Sequence, residues 1–272
     1  MPEAEAVSVQ SNDLDMTFST RLSRPLVSKA LRKTGCVISE LPCVVAAADV
    51  PLRERPVDDP LVPEFVRAAL AVEDRVIREL VDRLLERGVS VQSIYLDLLA
   101  PAARALGEMW TDDSCDFVEV TMAVGRLQLV LRDLSQMFVR DRPEEEVAGR
   151  VLLACIPGEQ HSLGLFMVAE FFVRDGWEVH VGPPLSDEQL LAHVREEWYD
   201  IVGFSVSCDS RLDHLKREIR RVRQASKNKK LLILAGGRAF NEHPALLERI
   251  GADGSAANAE LAPEKARQLL AM

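Results

Sequence analysis

VLLACIPGEQHSLGLFMVAEFFVRDGWEVHV, residues 151–181, is the stretch whose reading decides the fold. It reads as an apolar strand, a short polar loop, an amphipathic helix and a second strand, the opening of a βαβ unit. His161 stands just past the expected end of the first strand. In open α/β sheets ligands bind at the carboxyl ends of the strands, so this histidine is a candidate ligand-binding residue. The alternative is that it helps cap the helix. Gly164, three residues on, leaves room for backbone or ligand to approach the helix start.

Working outward towards the C-terminus, further strands are expected at 178–181, 201–205 and 231–234, with a short fifth near 252–254. Helices are expected between them at 163–174, 187–196, 212–225 and 244–250, with a last one from Pro263. Successive strand–helix units with near-continuous apolar strands imply an α/β fold with a parallel sheet of about five strands and helices on both faces.

Towards the N-terminus, residues 141–149 read as a charged linker. Before it, residues 61–140 read as a small four-helix bundle. A short helix near 62–69 is followed by a stripe at Val72, Val76, Leu80, Leu84 and Leu85, stopped by Gly88. Ser90 can cap the next helix, in which Pro101 is expected to make a kink or a break. After the polar turn TDDSCD, a helix over about 117–137 carries Val120, Val124, Leu127, Val130, Leu131 and Leu134. Residues 1–60, broken by Pro25, Pro42, Pro51, Pro56 and Pro60, read as a variable extension, and 150–272 form the α/β domain.

Composition narrows the function. A hydrophobic share of 47% over 272 residues supports two packed domains, and the formal charge of -10 disfavours binding driven by the DNA backbone. The basic runs 216–223 and 227–230 are expected on or after a solvated helix. Cys36, Cys43, Cys115, Cys155 and Cys208 form no CxxC pair or zinc spacing and are expected as reduced thiols. No apolar run approaches the roughly 20 residues needed to span a bilayer. The acidic N-terminus does not read as a secretory signal, so a cytoplasmic protein is expected.

Three features should converge on one sheet edge: His161, Ser205-Val206-Ser207 after the third strand, and Gly236-Gly237 after the fourth. The imidazole is a metal ligand or an acid/base group, and Glu159 could orient its second nitrogen. The serines supply neutral donors and acceptors, and the glycines clear space. Together they describe a slot for a long ligand tail. No nucleophilic triad, phosphate loop or carboxylate pair accompanies them, so catalysis by this chain alone is not expected.

Here the sequence resembles the cobalamin-binding fold made of a helical cap and a flavodoxin-like domain. The family pattern is Asp-x-His-x-x-Gly, Ser-x-Leu and Gly-Gly on successive loops. This chain has Glu159-Gln160-His161-Ser162-Leu163-Gly164, then Ser205-Val206-Ser207, then Gly236-Gly237. The resemblance implies that His161 is the lower cobalt ligand, with Ser162, Gly164, the serines and the glycines lining the channel for the cofactor tail. Two departures stand out. Glu159 replaces the usual Asp. Light-sensing relatives of the MerR type place Glu-His ten and eleven residues after a Trp, whereas Trp110 here is followed by Val120 and Thr121. An aquo- or hydroxo-cobalamin is therefore favoured over an adenosyl form.

The closer resemblance is to the AerR/PpaA group of photosynthetic bacteria, related to the haem/cobalamin sensor domain of AppA. It implies a cobalamin-dependent antirepressor, light- or redox-responsive, that binds a CrtJ/PpsR-like repressor and meets DNA only through it. Haem held by His161 is the alternative cofactor, with Cys115 as a secondary ligand candidate. A corrinoid carrier for a methyltransferase system is the alternative function. Trp110 is expected over the corrin face or in domain packing, and Phe117, Met122 and Met137 in the core. His180 is expected near the tail channel or at the surface; His193, His214 and His243 are expected to be exposed.

Overall fold

The computed structural model describes residues 61–71, 73–140, 147–156, 162–182, 186–206, 211–237, 239–240, 243 and 245–272. The extension 1–60 lies outside the described residues, as do Val72, Glu159, His161, Ser207, Cys36, Cys43, Cys208 and most of the linker.

The first described part is helical. α1 (Leu61–Leu70) buries Phe65, Val66, Ala68 and Ala69. α2 (Asp74–Glu86) buries Ile77, Leu80, Val81 and Leu84, one stripe at 3.6-residue spacing. Val76, expected in that stripe, is exposed; it lies one position beyond the buried face. Arg87 ends the helix, and Gly88 follows at φ +79°, a left-handed turn that favours glycine.

α3 covers residues 91–111 in three segments: Val91–Ser93, a π-helical turn Ile94–Leu99, and Ala100–Thr111. The Ser90 hydroxyl accepts the Ser93 N–H at 3.0 Å. Pro101 has no N–H to give the preceding turn, and the wider π register falls immediately before it. The helix therefore changes register at the proline and continues. α4 (Phe117–Phe138) begins with a reciprocal cap: Asp116 accepts the Glu119 N–H at 2.8 Å, and Glu119 accepts the Asp116 N–H at 2.9 Å.

Phe117, Met122 and Met137 are exposed rather than in the core. The 22 residues of α4 carry more apolar side chains than the inward face can hold. That face is taken by Ala123, Leu127, Val130, Leu131, Leu134 and Phe138.

Among the described residues the second part is a four-stranded parallel sheet, β1 (Arg150–Cys155), β2 (Glu178–Val181), β3 (Ile201–Ser205) and β4 (Leu232–Gly236), ordered β2-β1-β3-β4. The expected fifth strand is reduced to one bridge, Leu234 to Gly254. Around the sheet lie α5 (Leu163–Arg174), α6 (Asp187–Glu196), α7 (Leu212–Ala225), the short α8 (Leu246–Ile250) and α9 (Leu261–Leu270). Side chains alternate along β1. Val151, Leu153 and Cys155 pack with α5 and α9, while Leu152, Ala154 and Ile156 pack with α6 and α7. This is the flavodoxin-like α/β class, with a helical cap before it.

Helix α5 joins the two parts. Its Leu163, Met167 and Phe171 belong to the apolar core of the cap, while Leu165, Ala169 and Phe172 belong to the core of the sheet. Phe138 of α4 packs between Tyr95 and Phe171, with ring centroids 4.8 and 4.9 Å away. Polar ties cross the same junction. Ser135 donates to Glu170 at 2.8 Å, and Arg174 donates to Gln92 at 2.8 Å. No helix among the described residues is long and apolar enough to cross a membrane.

Candidate functional site

The carboxyl edge of the sheet opens into a cleft of about 930 Å3 beneath the cap. Its floor follows from the strand register. Gly203 and Ser205 of β3 lie on one face, and Ser205 pairs in register with Gly236 of β4. Leu153 of β1 and Leu234 of β4 complete that floor. One wall is α5, with Gly164, Leu165 and Val168; the other is the segment running from Ala256 into α9 at Ala262. The roof comes from α3, with Leu96, Asp97, Ala100, Arg104 and Glu108.

The small residues shape this space in different ways. A Cβ on Gly164 or Gly236 would meet nothing within 4 Å, so both positions open onto free volume. A Cβ on Gly203 would lie 2.6 Å from Leu153 Cδ2. This mid-strand glycine brings the β1 side chain close and keeps the floor flat. Gly237, at φ +114°, turns the chain off β4 against the backbone of Val206.

Of the residues expected at the site, Gly164, Ser205, Gly236 and Gly237 line this single cleft. Ser162 stands at the start of α5, where its hydroxyl accepts from Gln128 of the cap at 3.3 Å. Glu159, His161 and Ser207 lie outside the described residues. In the chain, Glu159 and His161 fall between β1 and α5, and Ser207 directly follows Val206.

Trp110 lies in the last turn of α3, half-exposed, outside the cleft lining. It packs edge-on against Phe117 with ring centroids 5.9 Å apart. Cys115 is buried beside that turn. Desolvation, then Glu119, Asp116 and Asp112, push its thiol upward. It is therefore a protonated thiol near neutral pH and a poor thiolate ligand for iron.

The other histidines sit elsewhere. His180 lies on edge strand β2, with Nδ1 3.1 Å from the Tyr199 hydroxyl and its ring 4.7 Å from that of His193. His193 and His214 are half-buried rather than exposed, because their helices turn them towards neighbouring groups; His243 is exposed. The reading of sequence missed Gly203 and the whole α3 roof. A glycine inside a strand was the available signal for the first; nothing local marks the second, which depends on how the cap docks.

The donors and shape of the cleft fit a large amphipathic ligand with a flat tail. The floor is largely apolar, and Gly203 and Gly236 add no side chain to it. The roof and rim are polar, with Asp97, Arg104, Glu108, Asn258 and Glu260. Arg104 is the one cation among these lining residues.

A B12 binding domain model matches residues 149–265, and a second B12 binding domain model matches residues 61–134. An uncharacterized 20.5 kDa protein of the bchF-crtJ intergenic region of Rhodobacter capsulatus is 30% identical over 177 residues, covering 64% of this chain and 90% of that protein. A corrinoid protein of Desulfitobacterium hafniense is 22% identical over 212 residues, covering 77% of this chain and 97% of the other. Among solved structures, the monomethylamine corrinoid protein of Methanosarcina barkeri shares the fold with a TM-score of 0.67. Its sequence is 16% identical, and the match covers 78% of this chain and 100% of that one.

Proposed function

We propose that this chain, which belongs to the B12-binding family, holds a cobalamin between cap and sheet and acts as an AerR/PpaA-type antirepressor. The supporting observation for cofactor binding is the cleft itself. Its floor is cleared by Gly203 and Gly236 at the carboxyl edge of the sheet, and in the sequence His161 falls between β1 and α5, the helix whose Gly164 lines the same cleft. The nucleotide tail would lie along that floor, with Ser205, Gly236 and Gly237 beside it. His161 would supply the lower ligand in place of the tail base, oriented by Glu159. When bound, the cobalt centre would supply a state that light or redox chemistry can change. Haem has no nucleotide tail to fill this floor, so cobalamin is the better fit.

The 30% identical relative named for the bchF-crtJ intergenic region supports the regulatory half of this reading. The chain would bind a CrtJ/PpsR-like repressor in one cofactor state and weaken its hold on DNA. Such coupling requires the repressor to discriminate the liganded chain from the empty one. Trp110, two residues beyond Glu108 of the roof and half-exposed, would cover part of the corrin that extends past the cleft.

The test starts with absorbance titrations of the wild type and His161→Ala with hydroxocobalamin and haemin. The expected result is one cobalamin per chain, with a spectrum that changes in the variant. Repressor binding is then measured by fluorescence anisotropy on operator DNA, with cofactor-loaded and empty protein. Equal affinity in both states would sink the sensor. A second reading, a corrinoid carrier, is supported by the similarity to the Desulfitobacterium corrinoid protein over almost its full length. Methyltransferase-dependent methylation of bound cob(I)alamin would establish the carrier instead.

A further inference from the structure

We propose that Asp187, His214 and Glu218 form a binding site for a divalent transition-metal ion, on the face of the sheet opposite the cleft. Asp187 is the first residue of α6, while His214 and Glu218 are one turn apart on α7 and project from one side of that helix. One donor atom from each of the three residues lies within 4.8 Å of the others. Asp187 Oδ1 and His214 Nε2 are 3.6 Å apart.

The observation that points to an ion is Glu218. Its side chain is only 1% exposed and no donor reaches its buried Oε2, while the Asp187 carboxyl lies within hydrogen-bonding reach of the same group. A buried carboxylate oxygen in that condition lacks compensation for its lost hydration. The other oxygen, Oε1, pairs with Arg221, whose same Nη1 also reaches Asp187 Oδ2 at 2.6 Å.

Arg221 thus acts as a tethered cation over part of the site. Its side chain is 42% exposed, long enough to swing into solvent when a divalent ion takes its place. One imidazole nitrogen and two carboxylates, with positions left for water, suit Zn2+, Mn2+ or Fe2+ rather than a thiolate-seeking metal. The ion would staple α6 to α7, the helix that follows the Ser205 end of β3. The site stands independently of the cobalamin reading.

The test is calorimetric titration of chelator-treated full-length protein with Zn2+ and, separately, Mn2+. The variants are His214→Ala, Glu218→Gln and Arg221→Ala, and His193→Ala removes the competing histidine pair on α6 and β2. One site per chain is expected, unaffected by His193→Ala. It should weaken by about 100-fold or more in His214→Ala and Glu218→Gln, since loss of a mere outer partner already costs 10–100-fold. Arg221→Ala should bind Zn2+ more tightly than wild type and regain thermal stability on adding it. The proposal is overturned by absence of saturable binding, or by binding unchanged in both folded ligand variants, with folding checked by circular dichroism. Either result would leave the cluster an ion-pair network only.

Discussion

Gly237 and Val206 touch so closely that a side chain has no place between them: a Cβ on Gly237 would fall 2.1 Å from the Val206 carbonyl oxygen. The Val206 N–H donates to the Gly236 carbonyl at 3.0 Å, so the two strand ends are locked at the point where the cleft begins. Gly237→Ala adds this collision with backbone to a φ of +114° that L-residues rarely adopt. We expect it to destabilise the α/β part by about 3 kcal/mol. Urea denaturation would read that loss, and a variant as stable as wild type would refute the geometry.

Gly236→Val separates shape from stability. A Cβ there meets no atom within 4 Å, and a β-branched residue suits a strand. The fold should survive with a denaturation midpoint near wild type. Hydroxocobalamin affinity should fall more than about tenfold, the weight of roughly 1.4 kcal/mol. Unchanged affinity would remove the floor of the cleft from the binding site.

Glu170 gives the junction of cap and sheet a pH dependence. Burial raises its carboxyl above the ordinary value, and the Ser135 hydrogen bond only partly offsets this. A carboxyl whose folded pKa is raised contributes most below its unfolded pKa, and that contribution is lost as pH rises through the folded value. Glu170→Gln should therefore be more stable than wild type at pH 8, with the gap closing as pH falls below the ordinary carboxylate range. Thermal melts across that series would measure it; a gap that widens on acidification would reverse the sign and refute it.

Arg126 is buried in the cap, donating to Asp74 Oδ1 at 2.6 Å and to the Ala69 carbonyl at 2.9 Å. It ties the end of α1 and the start of α2 to α4. Arg126→Ala should cost about 3 kcal/mol, because the buried Ala69 carbonyl loses its donor and a cavity opens in the core. Hydrogen exchange should show the first two helices losing protection before the sheet does.

Much of this architecture was legible in the chain because apolar periodicity records burial. The strand expected at Val151–Ile156, found at Arg150–Cys155, and the α2 stripe are examples, and Gly88 and Ser90 mark helix ends by local chemistry. Phe117, Met122 and Met137 were not legible. Their exposure depends on what α4 lies against, and periodicity carries no record of a neighbour. The π turn at Ile94–Leu99 likewise follows from the way the whole helix accommodates Pro101. Arg126 was missed for a related reason: a charge can be buried only where distant segments supply its partners.

Helix α5 has core contacts on both sides, to the cap through Phe171 and to the sheet through Phe172. Close-packed interiors pass on a displacement rather than absorb it. A push on its first turn, at Ser162 and Gly164, therefore has no slack to disappear into. Further along the same helix, Glu170 and Arg174 bond Ser135 and Gln92 of the cap. One helix is thus both the wall of the cleft and the seat on which the cap rests.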